Sequence, residues 1–231
     1  MTIQLYDLAA ADEARRFSPY CWRTRMALKH KQLDFETIPW RFTDKEAIAF
    51  TNQIFVPVLV DGKTVVNDSW RIAEYLDQTY PDQPKLFDSA MAKAEAHFIG
   101  HWADSMVHGS VSRMIILDIF NQVDPKDREY FRTSREKRFG KSLEAVQAER
   151  ESAKDDLGKA LVPMRRSIKE QAFLGGEKPG YADYSVFGAF QWARIISSYE
   201  ILKPDDEIKE WRNRMLALFG GYAASYLPPG A

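Results

Sequence analysis

The chain has 231 residues, which is long enough for one large domain or two modest ones with a substantial hydrophobic core. Its hydrophobic and charged fractions, 45% and 28%, are those of an ordinary globular protein and exclude a disordered chain. The formal net charge of −1 argues against a polyanionic partner such as nucleic acid. A single cysteine excludes an intrachain disulfide. The sequence also shows no signal-peptide pattern and no long apolar run. Together with the single cysteine, these features predict a cytoplasmic protein.

The first predicted elements are a strand and a helix. Apolar and polar residues alternate over residues 3–8, which predicts a short strand. After a polar loop, Ser18 is a good helix N-cap and Pro19 suits the first helical position, so we expect a helix from there to Lys31. A helix N-terminus carries unpaired amides and partial positive charge, and a hydroxyl placed there can donate to a bound thiolate. Ser18 is therefore either a candidate catalytic residue or only a helix cap.

The next predicted elements are strands over 35–39, 56–60 and 64–66 and a helix over 70–80. Asp61–Gly62 indicates a tight hairpin turn between the last two strands, because these residues tolerate positive φ. The proline of Val56–Pro57 begins an interior strand, where a trans proline is unfavourable. We therefore expect a cis bond that leaves the Val56 amide and carbonyl free to face a ligand. Asp68–Ser69 is expected to cap the helix that follows.

A proline-rich segment over residues 81–84 is the best candidate for a domain boundary, and the pattern beyond it is helical throughout. The sequence therefore predicts an α/β domain over residues 1–80, a linker over 81–90 and an all-helical domain over 91–231. The expected helices cover 90–121 with a weak break at Gly109, 125–139, 142–170 with a split near Pro163, 181–199, and 207–218.

Three features of the first 80 residues together resemble the glutathione transferase family: Ser18 at a helix start, Val56–Pro57 before a hairpin, and Asp68–Ser69 at a later helix start. The resemblance implies a thioredoxin-like α/β domain followed by an all-helical domain. It also implies that Ser18 activates the glutathione thiol, that Val56–Pro57 pairs with the backbone of glutathione's cysteine, and that Asp68–Ser69 holds the γ-glutamyl end. Glutathione is then the co-substrate, no metal is involved, and the implied assembly is a two-fold homodimer.

A closer resemblance, to the β-etherase-like branch of that family, covers nearly the whole chain. It rests on the runs at 18–24, 27–31, 125–130, 134–136, 143–147, 174–176 and 182–184. This resemblance implies an apolar, aromatic electrophile, with cleavage of a β-aryl ether as the candidate reaction. One departure is Phe55, which stands where many family members have Lys or Arg before the cis-proline pair. We therefore expect Arg41 or Lys45 to hold the glycine carboxylate of glutathione.

The electrophile is expected to bind between the two domains, beside Phe17 and Tyr20 at the start of the first helix. On the helical side, the predicted lining is the helix face that carries Trp102, Ser105, Met106 and Arg113. The alternative for each of these six residues is ordinary packing between the domains.

Two other features favour structural roles. His97 and His101 have the i, i+4 spacing of metal ligands, but no third ligand follows at a recognisable spacing, so no metal site is predicted. Cys21 stands where a dithiol motif would have its resolving thiol. Because Ser18 occupies the attacking position, Cys21 is expected to be a packed core residue. A glutathione-dependent thiol reductase and a non-catalytic binder of hydrophobic ligands are the alternative functions.

Overall fold

The computed structural model of the protein describes residues 2–226 and 228–230. Its N-terminal part combines a four-stranded sheet with helices, in the order expected from the sequence. The elements of this part are β1 (Ile3–Leu8), α1 (Pro19–His30), β2 (Phe35–Trp40), a 3-10 helix (Lys45–Thr51), β3 (Val58–Asp61), β4 (Thr64–Asn67) and α2 (Ser69–Thr79).

The sheet is mixed and has the strand order β2-β1-β3-β4. Strand β1 runs parallel to β2, with Ile3 opposite Phe35, and antiparallel to β3, with Leu5 opposite Leu59. Strands β3 and β4 form a hairpin whose turn holds Gly62 at φ +60°, a conformation that glycine adopts without steric cost. This is the thioredoxin-like α/β arrangement that the sequence predicted.

The rest of the described chain is helical, as expected. Its helices are α3 (Ala90–Trp102), α4 (His108–Gln122), α5 (Arg128–Phe139), α6 (Leu143–Ala148), α7 (Arg150–Ala160), α8 (Val162–Glu170), α9 (Tyr181–Ile196) and α10 (Ile208–Gly221). None of the helices in residues 2–226 and 228–230 is both long and apolar enough to cross a membrane.

Two helical stretches differ from the expected ones. The helix expected over 90–121 is interrupted at Ala103–Val107 rather than at Gly109, because the backbone there forms a π-turn between α3 and α4. A π-turn contains one residue more than an α-turn, so it shifts the face that the following residues present. The stretch expected over 142–170 is divided into α6, α7 and α8. Pro163 lies in the first turn of α8, where its missing N–H costs no hydrogen bond.

A buried ion pair ties α1 to the sheet. Arg25 Nη1 donates to Asp7 Oδ2 at 3.0 Å, and neither side chain is exposed to solvent. Arg25 also donates through Nε to the hydroxyl of Tyr222 at 2.9 Å and lies 4.2 Å from the ring centre of Tyr226. Because a buried charge is unfavourable without partners, these contacts hold the C-terminal segment against α1.

A second buried carboxylate, Asp183, organises the start of α9. Its two oxygens accept hydrogen bonds at 2.8–3.0 Å from the amides of Leu174, Gly175 and Gly180 and from Trp211 Nε1. Burial raises the pKa of Asp183, and the four donors oppose that rise. Gly180 has no side chain with which to cap α9, so the helix start depends on this carboxylate.

Helix α9 meets the start of α1 at Gly188. A Cβ atom added to this glycine would lie 2.3 Å from the carbonyl oxygen of Pro19 and 3.1 Å from its carbonyl carbon. The contacted atoms are backbone atoms, which cannot move aside as the end of a flexible side chain can. Glycine therefore permits an approach that any other residue would block, and this contact fixes where α1 begins.

We expect Gly188→Ala to lower the free energy of unfolding by about 1–3 kcal/mol, because the added methyl group must displace the α1 backbone. Gly158→Ala is the matched control, since Gly158 also lies inside a helix but an added Cβ would meet no atom within 4 Å. The control should be neutral or should stabilise the protein by up to about 1 kcal/mol. Urea denaturation of both variants measures the difference, and equal midpoints would contradict the close contact.

Candidate functional site

Ser18 caps α1, as the sequence predicted. Its backbone is extended (φ −61°, ψ 125°), its Oγ accepts a hydrogen bond from the Cys21 amide at 3.3 Å, and Pro19 follows in the first turn. Ser18 is only 4% exposed, and it lines a cavity of about 270 Å³ between the sheet and the helices. Because Oγ acts as an acceptor toward the helix amide, its own proton remains available for donation to a bound group.

Aromatic side chains dominate the wall of this cavity, which we call the aromatic cavity. They are Phe17, Tyr20, Trp40, Phe42, Phe55, Tyr130, Phe131 and Trp192. The rings form a connected series, with 6.3 Å between the ring centres of Phe17 and Phe42 and 5.5 Å between those of Phe42 and Phe131. Offset and edge contacts between rings are favourable, so this wall suits a flat aromatic ligand.

Two of the six residues predicted to contact the electrophile line the aromatic cavity, Phe17 and Tyr20. The four on the helical side lie elsewhere: Trp102, Ser105, Met106 and Arg113. Arg113, for example, pairs with Asp156 at 2.8 Å. The helix face at the cavity consists instead of Asp104, His108, Ser112 and Ile116. These four residues follow one another at i, i+4 spacing, so the helix turns a different face to the cavity from the one that carries the predicted residues.

His108 contributes a neutral imidazole to the aromatic cavity. Its Nε2 lies 3.2 Å from Nη2 of Arg23, which can only donate, so Nε2 is the accepting nitrogen. Arg23 Nη2 also donates to Asp104 Oδ1 at 2.5 Å, which neutralises the carboxylate beside the imidazole. Burial, followed by the charge of Arg23, lowers the pKa of His108 well below its ordinary value of 6.5.

A second cavity, of about 290 Å³, adjoins the aromatic cavity and holds most of the residues predicted to bind glutathione. Its lining consists of Tyr20, Gln53, Phe55, Val56, Pro57, Asn67, Asp68 and Ser69. Tyr20, Phe55 and Val56 line both cavities, so the two form one cleft beside the start of α1. The Val56–Pro57 bond is cis, as the sequence predicted.

Asp68 and Ser69 are held at the start of α2. Asp68 Oδ1 accepts hydrogen bonds from the amides of Trp70 and Arg71 at 3.0 and 3.1 Å. Ser69 is buried, and its carbonyl accepts a hydrogen bond from the Tyr181 hydroxyl on α9 at 2.7 Å. The start of α2 therefore presents a carboxylate and a hydroxyl to the second cavity. The hydrogen bond from Tyr181 on α9 holds this helix start in place.

The two candidate cations for a ligand carboxylate differ in their surroundings. Arg41 lies between two carboxylates, each 3.2 Å away, and is outside the lining that the described residues give to either cavity. Lys45 Nζ donates to the Ile54 carbonyl at 2.7 Å and lies 4.7 Å from the ring centre of Trp40 and 5.3 Å from that of Phe55. Lys45 is therefore the candidate cation beside the cleft.

Cys21 is fully buried, and burial raises the pKa of its thiol well above its ordinary value. Since the thiolate is the reactive form of cysteine, this residue is a core residue, as predicted. The exposed His97 and His101 have their Nε2 atoms 3.2 Å apart. No cluster of three potential metal ligands occurs in the described part of the chain.

Several residues of the aromatic cavity carry no clear signal in the sequence. Arg135 and Arg138 belong to a strongly charged helix, which the sequence alone makes a solvated surface. Trp192 belongs to an apolar helix whose residues are expected in the core. Asp104 and His108 have i, i+4 spacing, which places them on one face of a helix. The sequence does not show which face of that helix meets the cavity.

Comparison with protein families gives a match over most of the chain. Residues 17–79 match a family model described as the glutathione S-transferase N-terminal domain. Residues 94–226 match one described as the glutathione S-transferase C-terminal domain. A probable glutathione S-transferase from Glycine max is 27% identical over 183 residues, covering 78% of this chain and 69% of the relative. Glutathione S-transferase omega-1 from Mus musculus is 25% identical over 203 residues, covering 87% and 73%.

Solved structures agree with this match. Glutathione transferase GSTFuA3 from Phanerochaete chrysosporium superposes with a TM-score of 0.78 and 27% identity, covering 98% of this chain and 95% of that one. The glutathione S-transferase CsGST83044 from Ceriporiopsis subvermispora was solved in complex with glutathione. It has a TM-score of 0.75 and 25% identity, with coverage of 98% and 96%.

We expect the His108 imidazole to remain neutral as the pH falls through 6.5, because burial and Arg23 lower its pKa below that value. The unfolded chain takes up this proton near pH 6.5 and the folded protein does not. This residue's contribution to stability is therefore complete above pH 6.5 and is lost as the pH falls below it. NMR of the ring carbons against pH, assigned with a His108→Gln variant, measures the pKa. Arg23→Gln should raise it, and a wild-type midpoint at or above 6.5 would contradict the assignment.

Proposed function

This chain belongs to the glutathione S-transferase superfamily, and we propose that it activates the glutathione thiol through Ser18 for attack on an apolar, aromatic electrophile. The observation that carries the proposal is the location of the Ser18 hydroxyl, at the N-terminus of α1 and in the wall of the aromatic cavity. A thiolate bound there would meet a hydroxyl donor and the partial positive charge of the helix terminus.

In this proposal glutathione, the co-substrate, occupies the second cavity. The amide and carbonyl of Val56 pair with the backbone of its cysteine, while Asp68 meets the γ-glutamyl ammonium and Ser69 the adjacent carboxylate. Lys45 supplies the cation for the glycine carboxylate, because Arg41 is already held between two carboxylates. The relative from Ceriporiopsis subvermispora that was solved with glutathione supports this choice of co-substrate.

The available interactions are sufficient to give a thiolate at neutral pH. A free thiol of the cysteine type has a pKa of about 8.5, and lowering it by about two units requires about 2.7 kcal/mol. A hydrogen bond to a charged group contributes about 1.5–3 kcal/mol, and a helix terminus about 0.3–1 kcal/mol more. The Ser18 hydroxyl and the start of α1 can together supply this stabilisation.

The electrophile occupies the aromatic cavity. The thiolate sulfur forms a bond to an electrophilic carbon, and the leaving group departs with the electron pair of the broken bond. In the finer form of the proposal the substrate is a β-aryl ether, so a carbon–oxygen bond breaks and a phenolate leaves. The thiol proton goes to solvent, and the phenolate takes a proton from solvent. The aromatic wall and the resemblance of residues 125–147 to the β-etherase-like branch support this substrate class.

The two alternative functions are separable from this one. A thiol reductase would need a reactive cysteine, and Cys21 is buried with a raised pKa, which disfavours that chemistry. A non-catalytic binder would hold aromatic ligands in the same cavity without turnover. A single cysteine with no disulfide partner supports a cytoplasmic location for the proposed enzyme.

We expect Ser18→Ala to raise the pKa of bound glutathione and to lower kcat/KM by about 10–100-fold, since a charge-assisted hydrogen bond is lost. Glutathione affinity should change little, because the residues proposed to hold its two ends are untouched. Ultraviolet absorbance of the thiolate against pH gives the bound pKa, and steady-state conjugation assays give the rates.

Cys21→Ala is the matched control for this variant, because it removes the neighbouring thiol and leaves the Ser18 hydroxyl in place. It should conjugate at the wild-type rate, whereas a thiol reductase would lose its activity. An unchanged thiolate pKa and rate in Ser18→Ala would refute the proposed role of the serine. Ligand affinity without turnover in the wild-type protein would favour the non-catalytic binder.

We propose the homodimer on the basis of an exposed apolar surface. Met91 and Phe98 on α3 are 70% and 74% exposed, and Phe50 and Ile54 of the sheet part are also more than half exposed. Large exposed apolar side chains are unusual in a monomer when they are grouped on one element. In a two-fold dimer, the sheet part of one subunit packs on the helical part of the other and covers both sets.

Light scattering should give twice the chain mass of 26.6 kDa for the wild-type protein at micromolar concentration. Phe98→Glu should shift the mass toward that of one chain, because it places a charge within the buried interface. Val162→Glu is the matched control, since it replaces another exposed apolar residue, on α8, and should leave the mass unchanged. A single-chain mass for the wild-type protein would overturn the dimer.

A further inference from the structure

Three cations at the aromatic cavity form no ion pair with the carboxylates of the residues that the structure describes. Arg135 and Arg138 line the cavity, and Lys45 lies against rings of its wall. Within residues 2–226 and 228–230, the ion pairs involve none of these three side chains. Among the described residues that line the cavity, Asp104 is the one with a carboxylate. Its Oδ1 lies 2.5 Å from Nη2 of Arg23, which neutralises its charge.

Three acidic residues in or near α5 contact other groups. Arg132 holds Glu136 and Glu144, each at 2.8 Å. Asp127 accepts hydrogen bonds from two backbone amides at 2.9 and 3.0 Å. None of these three carboxylates forms an ion pair with Arg135 or Arg138.

Arg135 is the cation with the most defined position in the cavity. Its guanidinium carbon lies 5.4 Å from the ring centre of Phe42 and 4.9 Å from that of Phe131, both of which line the cavity. Its Nη1 donates to the hydroxyl of Ser134 at 3.0 Å. Burial lowers the pKa of Arg135, although a guanidinium stays charged at any physiological pH. The rings hold the guanidinium plane while several of its N–H groups remain available to a ligand.

We propose that Arg135 is a specificity-determining residue that selects aromatic electrophiles carrying a carboxylate group. This inference rests on the proposed function, since it names the class of substrate that the same cavity takes. The aromatic ring of such a substrate contacts the wall of rings, and its carboxylate pairs with the planar fork of the guanidinium. The pairing supplies the counter-charge that a half-buried arginine lacks.

A carboxylate on the electrophile fits the charges better than the glycine carboxylate of glutathione does. Lys45 lies beside Phe55, which lines both cavities, whereas Arg135 lines the aromatic cavity alone. Burial lowers the pKa of Lys45, the negative charge of Asp127 opposes this shift, and the positive charge of Arg135 adds to it, so the two cations repel each other. An anion on each of the two substrates gives Lys45 and Arg135 one partner each and offsets that repulsion.

The test uses a matched pair of electrophiles, 4-chloro-3-nitrobenzoate and its neutral amide, 4-chloro-3-nitrobenzamide. In both, the thiolate sulfur bonds to the ring carbon that carries chlorine, and the carbon–chlorine bond breaks. Chloride leaves with the bonding electron pair, the thiol proton passes to solvent, and the carboxylate or amide is unchanged. The two substrates differ in the charge that Arg135 would recognise, and each variant is compared with the wild-type protein on the same substrate, so that their different intrinsic reactivities cancel.

Arg135→Gln should lower kcat/KM for the benzoate at least 10-fold, through a higher KM, because one charge-assisted hydrogen-bonded pair is lost. The kcat/KM for the benzamide and the KM for glutathione should stay within about twofold of the wild-type values. Arg135→Lys should recover part of the loss, since it keeps the charge but not the fork.

Arg128→Gln is the matched control, because it makes the same change at an exposed position of α5 outside the aromatic cavity. It should leave both electrophiles unaffected. Lys45→Gln should raise the KM for glutathione equally with both electrophiles. An equal loss with benzoate and benzamide in Arg135→Gln, or no loss with either, would overturn the inference.

A binding measurement separates failure of this inference from failure of the proposed function. Calorimetry with 1-naphthoate and 1-naphthamide requires no glutathione and no turnover. The inference is supported if the wild-type protein binds the naphthoate more tightly than the naphthamide and Arg135→Gln abolishes that difference. This holds even if the protein conjugates nothing. Equal binding of the two ligands by the wild-type protein overturns it, whatever the result of the conjugation assays.

Discussion

The contact between Gly188 and the carbonyl of Pro19 is the constraint on which the site depends. It brings the backbone of α9 against the first turn of α1, at a distance that no side chain could tolerate. Ser18 immediately precedes that turn, so the helical part of the chain fixes the hydroxyl proposed to act on the thiol. Farther along α1, the buried pair of Arg25 and Asp7 holds the helix to the sheet, so α1 is secured on both sides.

The same interface separates two kinds of environment. On the sheet side, the second cavity offers backbone groups, the carboxylate of Asp68 and the hydroxyl of Ser69, which suit a charged peptide-like molecule. On the helical side, the aromatic cavity offers rings, a neutral imidazole and Arg135. Ser18 lines the aromatic cavity two residues before Tyr20, which lines both cavities. A polar nucleophile and an aromatic electrophile can therefore be bound by different surfaces and still meet at one hydroxyl.

Much of the fold was predictable because its signals are local. Ser18 and Pro19 mark a helix start through capping and a fixed φ, and Asp61–Gly62 marks a hairpin through its tolerance of positive φ. The cis bond before Pro57 was predicted from the position of a proline in an interior strand. The face of α4 was not predictable in the same way. The predicted face carries Trp102, Ser105, Met106 and Arg113, whereas packing against the other elements turns the face of Asp104, His108, Ser112 and Ile116 to the cavity.

The sequence by itself determined the order of strands and helices, the family resemblance and the residues at the start of α1, because each depends on neighbours within a few positions. Only the tertiary structure decided which side chains share the cleft. Arg135 and Trp192 lie far apart in sequence and come to line the same cavity as Ser18 through packing alone. The proposal that Lys45 rather than Arg41 pairs with the glycine carboxylate of glutathione also depends on tertiary structure. A cation is available to a ligand only where the fold brings no carboxylates beside it, and two lie beside Arg41.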